Sequence, residues 1–279
     1  MLDLSNKVEL IALSRLVRAL QAVAGPMGIQ FFLMGAAARD LMVHHAHGIQ
    51  ARRATEDADF AFMMRDWRAY EDLRSALIAG GEFSAQTRPA THRLRHLSGL
   101  PLDIVPFGGI ERPDRTFAWP ADEREIFDCF GVNEAFAAGV VVALPEGSEV
   151  KVASVAAQVT LKITAWFDRR HTHRGRDAGD LFLFLRYYLD LGNFDRATVE
   201  HSDLFEVDDF DHVEAGVKLL ARDIADLLEP AGTERVLSIL RPETDENGAL
   251  LLASQSGMEL ERARRWLEVL CAELTRFGR

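Results

Sequence analysis

Three aspartates are the residues of this 279-residue chain with the clearest potential for chemistry. Asp57 and Asp59 stand two apart at the start of a strand-like stretch, so their side chains should point to the same face. Asp103 is the only charged residue of the apolar stretch 100–107. Carboxylates crowded in this way repel one another unless a cation lies between them, and Mg²⁺ prefers oxygen ligands. The pattern predicts a divalent-metal site of the kind used for phosphoryl transfer.

A second interpretation of the same acids needs no metal. Asp57 would end a loop, Asp59 would be a solvated strand residue, and Asp103 would pair with a nearby arginine. Taken one at a time, each acid is better explained in this way, because a charge within a buried strand must be paired. Three acids on two adjacent strands nevertheless favour the metal site.

A turn of small residues precedes these acids. The apolar run from Ile29 to Met34 predicts a strand, and the stretch from Ala36 to His47 predicts a helix. Gly35 and Ala36 would let a phosphate approach backbone N–H groups where the helix begins. A glycine after a strand is often only a turn, but its place before the paired acids supports a role in phosphate binding.

Five motifs together resemble the polymerase-β-like nucleotidyltransferase superfamily and, within it, the AbiEii/AbiGii family of bacterial nucleotidyltransferase toxins. They extend over residues 28–190. The matching segments are Gly35-Ala36, Arg53-x-Thr55-x-Asp57-x-Asp59-Phe60, Leu102-Asp103-Ile104-Val105-Pro106-Phe107, Thr160-Leu161-Lys162-x-x-Ala165-Trp166-x-x-Arg169-Arg170 and Arg176-Asp177-x-x-Asp180-Leu181. The stretch from Gly35 to Asp40 is also similar to the head domain of tRNA CCA-adding enzymes.

The resemblance implies a role for each matching residue. The catalytic residues would be Asp57, Asp59, Asp103, Lys162 and Asp177. The first three would also be the metal ligands, while Asp177 and Asp180 would orient Lys162 or the base. Nucleotide binding would fall to Gly35, Ala36, Arg39, Arg53, Lys162, Arg169 and Asp180. The chain departs from the family pattern by Gly-Ala in place of Gly-Ser and by an arginine before Asp177 in place of lysine.

The resemblance also implies a reaction. The chain would move a nucleoside monophosphate from a nucleoside triphosphate to an RNA acceptor, tRNA first, with Mg²⁺ or Mn²⁺ as cofactor. It would be the toxin of a toxin–antitoxin module, with a cognate antitoxin protein as partner. Two alternatives stay open: a catalytically weak member that acts as an interaction partner, and a small-molecule nucleotidyltransferase of the aminoglycoside type.

The second half of the chain has helical spacing almost throughout. Helices are predicted over Ser154–Arg170, Asp177–Leu191, Val213–Leu228 and Met258–Phe277. Two candidate residues there have simpler explanations, since Lys162 could extend along apolar surface to water and Asp177 could merely be an acid at a helix start. In the last of these helices one core-facing stripe is expected, formed by Leu260, Ala263, Leu267, Leu270 and Leu274. In the first half of the chain, helices are predicted over Val8–Ala24 and Trp67–Ala79. Strands are predicted over Thr91–Leu97 and Leu100–Val105, separated by the hairpin signal Ser98-Gly99.

The order of elements predicts an α+β fold. Residues 1–155 would form the polymerase-β-like nucleotidyltransferase domain, and residues 156–279 a helical domain that contributes Lys and Asp residues to the cleft.

The composition restricts the possible partners. A net charge of −11 argues against a protein that binds nucleic acid over its whole surface. The basic segment Arg169–Arg176 offers one local site for an RNA backbone, unless its arginines pair with acids such as Asp168 and Asp177. No run approaches the roughly 20 apolar residues of a membrane span, so no membrane association and a cytoplasmic location are expected. Cys129 and Cys271 are expected to be free and buried.

Overall fold

The computed structural model describes residues 1–51, 55, 57–85, 92–120, 126–172 and 175–278. The chain divides into two compact units, of which the first consists of Met1–Ala46 and Arg53–Ser154. The second consists of His47–Arg52 and Val155–Arg279. All strands within the described residues belong to the first unit, and the described part of the second is built from helices.

One sheet dominates the first unit. The strands of this unit are β1 (Leu2–Asp3), β2 (Phe31–Met34), β3 (Ala58–Met64), β4 (Phe83–Ala85), β5 (Arg93–His96), β6 (Pro101–Gly108), β7 (Thr116–Ala118), β8 (Ile126–Asp128), β9 (Val140–Ala143) and β10 (Glu149–Val152). Within the described residues, eight of them form a sheet in the order β1-β9-β10-β2-β3-β6-β5-β4. Strand β3 runs parallel to β6 and antiparallel to β2, while β5 pairs antiparallel with β6. Strands β7 and β8 pair with each other.

The middle of the sheet is apolar on both faces. Phe60, Ala61 and Phe62 are consecutive residues of β3, and all three are fully buried. Their neighbours on β6, Ile104 and Phe107, are fully buried as well. Because strands covered on both faces show continuous apolar runs rather than alternation, an acid on either strand stands out against its surroundings.

The described residues of the first unit form four α-helices, of which the first and the third follow the predicted apolar spacing. They are α1 (Ile11–Ala24), α2 (Gly35–Arg39), α3 (Trp67–Ala79) and α4 (Val132–Ala137). In α3 the carboxylate of Asp66 caps the helix start by accepting a hydrogen bond from the Ala69 amide at 2.8 Å. The predicted helix from Ala36 to His47 takes another form, because α2 passes after five residues into a π-helical turn, Asp40–His45.

The second unit is a stack of amphipathic helices. They are α5 (Val155–Arg169), α6 (Arg176–Tyr187), α7 (Phe194–Glu200), α8 (His212–Leu227), α9 (Pro230–Leu240), α10 (Leu251–Gln255) and α11 (Leu260–Phe277). In α11 the predicted core-facing stripe is buried at Ala263, Leu267, Leu270 and Leu274. Leu260, the first residue of the helix, is 40% exposed and stands outside the core.

Other predictions about the chain have a direct outcome. Cys129 and Cys271 are free thiols, and both are buried, as expected. None of the helices in the described residues combines the length and apolar character that crossing a membrane requires.

Candidate active site

The strand register brings two of the predicted metal ligands side by side. Asp59 on β3 is the cross-strand partner of Asp103 on β6. On the other side of β6, Asp103 is paired in register with Arg93 of β5. Register partners on neighbouring strands share a face, so these three side chains form one row across the sheet. Asp57 lies just before β3 begins rather than within the strand.

Arg93 holds two of the acids together. Its Nε donates to Oδ1 of Asp103 at 2.6 Å, and its Nη2 donates to Oδ2 of the same carboxylate at 2.5 Å. The same Nη2 also donates to Oδ2 of Asp57 at 2.7 Å. Hydrogen bonding to Asp103 raises the pKa of the guanidinium further above its ordinary value, so Arg93 remains a cation. One nitrogen therefore serves two carboxylates.

This arrangement combines both interpretations of the acids. Asp103 pairs with a nearby arginine, as the metal-free interpretation expects, and within the described residues no three acidic, histidine or cysteine side chains are close enough to hold a metal ion. Yet oxygens of Asp57 and Asp103 converge on one positively charged atom, which stands in for an ion between them. Carboxylate oxygens are also the ligands that Mg²⁺ and Mn²⁺ prefer. The residues present therefore suit such a cation.

Gly35 lies directly against the third acid. Its φ is +71°, in the left-handed region where other residues are strained. A Cβ at this position would overlap Oδ2 of Asp59 and lie 2.9 Å from its Cγ. The neighbouring Ala36 is partly exposed. The backbone at Gly35 therefore lies close to the Asp59 carboxylate, and a residue with a Cβ does not fit at this position.

Two predicted nucleotide-binding arginines of the first unit have different outcomes. Arg39 is 2% exposed, and its guanidinium donates to Oδ1 of Asp40 at 2.7 and 2.9 Å and to the Thr55 hydroxyl at 3.4 Å. The Thr55 hydroxyl in turn donates to Asp40. The Arg39 guanidinium is therefore already paired within the protein, and its contact with a nucleotide stays a prediction. Arg53 lies outside the described residues.

A second cluster of predicted residues lies within the helical unit. The Nζ atom of Lys162 on α5 lies 3.1 Å from Oδ1 of Asp177 and 2.7 Å from Oδ2 of Asp180, both on α6. Arg169 donates to Asp177 through two nitrogens, at 2.6 and 2.8 Å. All four predicted residues of this unit thus belong to one network.

Burial makes this network unusual. Lys162, Asp177 and Asp180 are each at most 8% exposed, so Lys162 does not extend into water. Burial by itself would raise the pKa of Asp177, but hydrogen bonds from Arg169 and the charge of Lys162 outweigh it and hold the pKa below its ordinary value. Asp177 also lies in the first turn of α6, where the helix dipole stabilises a negative charge.

The basic segment Arg169–Arg176 is partly neutralised by its surroundings. Arg169 forms an ion pair with Asp177. The guanidinium of Arg170 lies 4.1 Å from the ring centre of Phe167, and it donates to the carbonyl oxygen of that residue. His173 and Arg174 lie outside the described residues. The segment therefore presents fewer unpaired charges than its sequence suggests.

Comparison with protein families places these residues in context. The model of a family described as "Nucleotidyl transferase AbiEii toxin, Type IV TA system" matches residues 18–246. The chain belongs to the AbiEii family. It is accordingly a nucleotidyltransferase, and the predicted family and α+β fold class are confirmed. None of the curated protein sequences matches the chain.

Several solved structures are similar to this AbiEii-family member, at low identity and low TM-score. A nucleotidyltransferase-like protein from Paracoccidioides brasiliensis is 17% identical, with 70% of this chain and 90% of that one covered and a TM-score of 0.42. The lincosamide antibiotic adenylyltransferase LnuA is 17% identical over 64% of this chain and 95% of that one, with a TM-score of 0.35. JHP933 from Helicobacter pylori is 15% identical over 95% and 94%, with a TM-score of 0.34. At these values the likenesses say nothing about substrates.

Arg93 is the residue of this AbiEii-family site that motif reasoning misses. It belongs to none of the motifs that carry the family resemblance, and it lies on the strand before Asp103. The available signal is the hairpin turn at Ser98-Gly99, which separates the two predicted strands. A two-residue turn there would pair Leu94 with Asp103, whereas the observed loop has three residues, 97–99, and the register pairs Arg93 with Asp103. The signal therefore places Arg93 near Asp103 but misses the register by one residue.

Proposed function

We propose that this protein transfers a nucleoside monophosphate from a nucleoside triphosphate to RNA, and that the reaction depends on a divalent metal. The observation that carries the proposal is the convergence of Asp57 and Asp103 on one cationic atom, beside the cross-strand pair Asp59–Asp103. Asp57, Asp59 and Asp103 would hold Mg²⁺ or Mn²⁺. When bound, the metal would bring the attacking and leaving oxygens together and reduce the charge on the triphosphate.

The chain's own residues supply the remaining requirements. Gly35 brings its backbone close to Asp59, which supports a role for Gly35 and Ala36 in admitting a phosphate beside the acids. Lys162 carries a positive charge suited to the phosphates of the leaving group. Asp177 and Asp180 hold the Lys162 ammonium by ion pairs, which fix its position.

The acceptor and the biological role rest on the charge pattern of the chain and on the description of its family. The segment Arg169–Arg176 is the densest run of basic residues in an otherwise acidic chain, which supports RNA, tRNA first, as acceptor. The matching family is described as the toxin of a type IV toxin–antitoxin system, and we extend that role to this chain. A cognate antitoxin protein would then be its partner.

Labelling with radioactive nucleotides tests the proposal directly. The purified protein is incubated with each α-labelled nucleoside triphosphate, total cell RNA and Mg²⁺ or Mn²⁺. We expect one nucleotide to label an RNA band, and we expect Asp59→Asn to lower the rate by at least about a hundredfold, because a ligand of the metal is lost. Asp72→Asn, which removes an acid that is 63% exposed on α3, is the matched control and should label normally.

Each part of the proposal has its own contrary result. Normal labelling by Asp59→Asn would exclude the proposed metal site. Labelling of proteins or small molecules in place of RNA would contradict the acceptor. Expression in a bacterial host tests the toxin role, since growth should stop with the wild-type chain and continue with Asp59→Asn.

A further inference from the structure

Arg93 occupies the position between two carboxylates that the proposed function assigns to a metal. Its Nη2 lies 2.7 Å from Oδ2 of Asp57 and 2.5 Å from Oδ2 of Asp103. Oxygen ligands surround Mg²⁺ at about 2.0–2.1 Å, so an ion shared by these two oxygens would fall where the guanidinium nitrogen now lies. Both cations cannot occupy that space at the same time.

We propose that Arg93 is an exchangeable internal counter-ion, which pairs with Asp57 and Asp103 in the metal-free protein and leaves them when a divalent metal binds. The inference rests on the proposed function, because it takes these acids as metal ligands. It adds a positioning residue: Arg93 keeps the two carboxylates turned toward a common point before the metal arrives, and its release is part of metal binding.

The surroundings of Arg93 are suited to such an exchange. Its side chain is 31% exposed, whereas the Asp103 side chain is 10% exposed. The guanidinium can therefore move into water while the carboxylate stays in place. Arg222 of the helical unit gives the contrast, because its side chain is 7% exposed and is paired with Glu273, which is 9% exposed. Arg222 also pairs with Asp203, which is 54% exposed, but its own side chain is buried and serves as a structural pair.

The proposal has a thermodynamic consequence. Every metal ion that binds must replace the ion pairs of Arg93, so part of its binding free energy is spent on breaking them. The metal affinity of the wild-type protein is then lower than the three carboxylates alone would give. An uncharged side chain at position 93 removes the competitor, and the metal should bind more tightly.

Manganese binding without nucleotide measures this competition. Titration with Mn²⁺, followed by electron paramagnetic resonance, should show about tenfold tighter binding by Arg93→Gln than by the wild type, the size expected for coupling between contacting charges. Arg95→Gln is the matched control, because Arg95 lies two residues along the same strand and donates to the Gly99 carbonyl at 3.0 Å. It removes the same charge and should change the affinity less than about twofold, by screened long-range attraction alone.

A spectroscopic measurement on the wild-type protein follows Arg93 itself. Its Nε–H donates to Asp103 at 2.6 Å, so the ¹⁵N-resolved Nε–H signal should exchange slowly with water in metal-free protein. Addition of Mg²⁺ should speed that exchange, whereas the signal of Arg95 should stay unchanged. This measurement needs no variant, so it decides the question even if Arg93→Gln unfolds.

The possible results separate this inference from the proposed function. If wild type binds Mn²⁺, Asp59→Asn does not, and Arg93→Gln binds equally or more weakly, then Arg93 supports the metal ligands and the exchange is wrong. If the Arg93 signal stays protected after Mg²⁺ binds, the exchange is wrong as well. If neither wild type nor Arg93→Gln binds Mn²⁺, the metal site of the proposed function fails together with this inference.

Discussion

At position 35 the backbone lies so close to the Asp59 carboxylate that a side chain has no room. Two physical constraints act there at once. The φ of +71° is strained for any residue with a Cβ, and a Cβ would overlap the Asp59 carboxylate. Gly28 separates these constraints, because its φ is +67° but a Cβ there would have no atom within 4 Å.

The two glycines form a matched pair for mutation. We expect Gly28→Ala to lower the free energy of unfolding by about 1 kcal/mol through backbone strain alone, with normal nucleotide transfer. Gly35→Ala should carry the same strain and in addition push Asp59 aside, so transfer should fall by at least about tenfold. Urea denaturation and the labelling assay measure the two effects. Normal transfer by Gly35→Ala would mean that the position of the Asp59 carboxylate does not matter for the reaction.

Sequence reasoning about single residues succeeded where one local rule decided the outcome. The pairing of Asp59 with Asp103 was within reach because both acids interrupt buried apolar strands. The hairpin signal at Ser98-Gly99 placed Arg93 only near Asp103, because the three-residue loop shifts the register by one residue from that of a two-residue turn. The burial of Arg39 was not predictable, because it depends on Asp40 and Thr55 meeting in three dimensions.

Among the elements, α5 and α6 are joined by charges rather than by apolar contact alone. Asp177 is 1% exposed and interacts with Lys162 and Arg169, and Asp180 completes the group through Lys162. Breaking one partner of a buried pair leaves the other charge uncompensated, and this is costly. The network therefore ties the stability of the helix pair to the protonation of its acids.

Asp177→Asn tests this link through pH. Burial raises the pKa of Asp177, but Arg169 and Lys162 lower it more, so the folded value lies below the unfolded one. The resulting stability is fully present above about pH 4, the ordinary value for an aspartate, and is lost as the pH falls through the folded pKa. We expect the variant to unfold about 3 kcal/mol more easily at pH 7 and to lose less stability than wild type between pH 4 and 2.

Denaturation at several pH values, with a matched control, completes that test. Asp195→Asn removes an exposed acid at the start of α7 and should follow the wild-type curve. Parallel curves for wild type and Asp177→Asn in acid would show that the network does not hold the Asp177 charge.

Lys162 requires a test that separates stability from nucleotide use. Lys162→Ala removes a cation that pairs with two buried acids, so we expect it to lower the free energy of unfolding by about 3 kcal/mol. Adding Asp180→Asn removes one of the remaining negative charges and should recover part of that stability. If Lys162 acts on the nucleotide, transfer stays lost in the double variant although the fold is recovered. Recovery of both together would leave Lys162 a structural role only.

The elements that were predicted and those that were missed differ in length. Helices α1, α3, α5 and α11 span 13 to 18 residues, long enough for several turns of apolar spacing to be recognised. Strands β1, β9 and β10 have two to four residues, so their sequence carries only one or two periods of alternation. They form because distant strands supply their hydrogen bonds, as β1 does by pairing with β9 across more than a hundred residues.

At the scale of the whole molecule, the net charge restricts where the RNA of the proposed function would bind. The chain carries 43 acids and 32 lysines and arginines, so most of its surface repels phosphate. The segment Arg169–Arg176 is the exception, although Arg169 is already paired with Asp177. Under the proposed function, RNA would contact Arg170, Arg174 and Arg176, and these contacts should depend strongly on salt.

Replacing these three arginines by alanine should weaken RNA binding and flatten its dependence on salt. Each phosphate contact to single-stranded RNA contributes about 0.7 to the slope of log affinity against log salt, so the slope should fall by about two. Filter binding between about 50 and 300 mM salt, roughly the range over which such contacts are screened, measures this slope. The control replaces Arg15, Arg18 and Arg65, whose side chains are 60%, 58% and 82% exposed, and so changes the net charge equally. Equal slopes for the two triple variants would mean that RNA responds to the overall charge of the molecule and not to this segment.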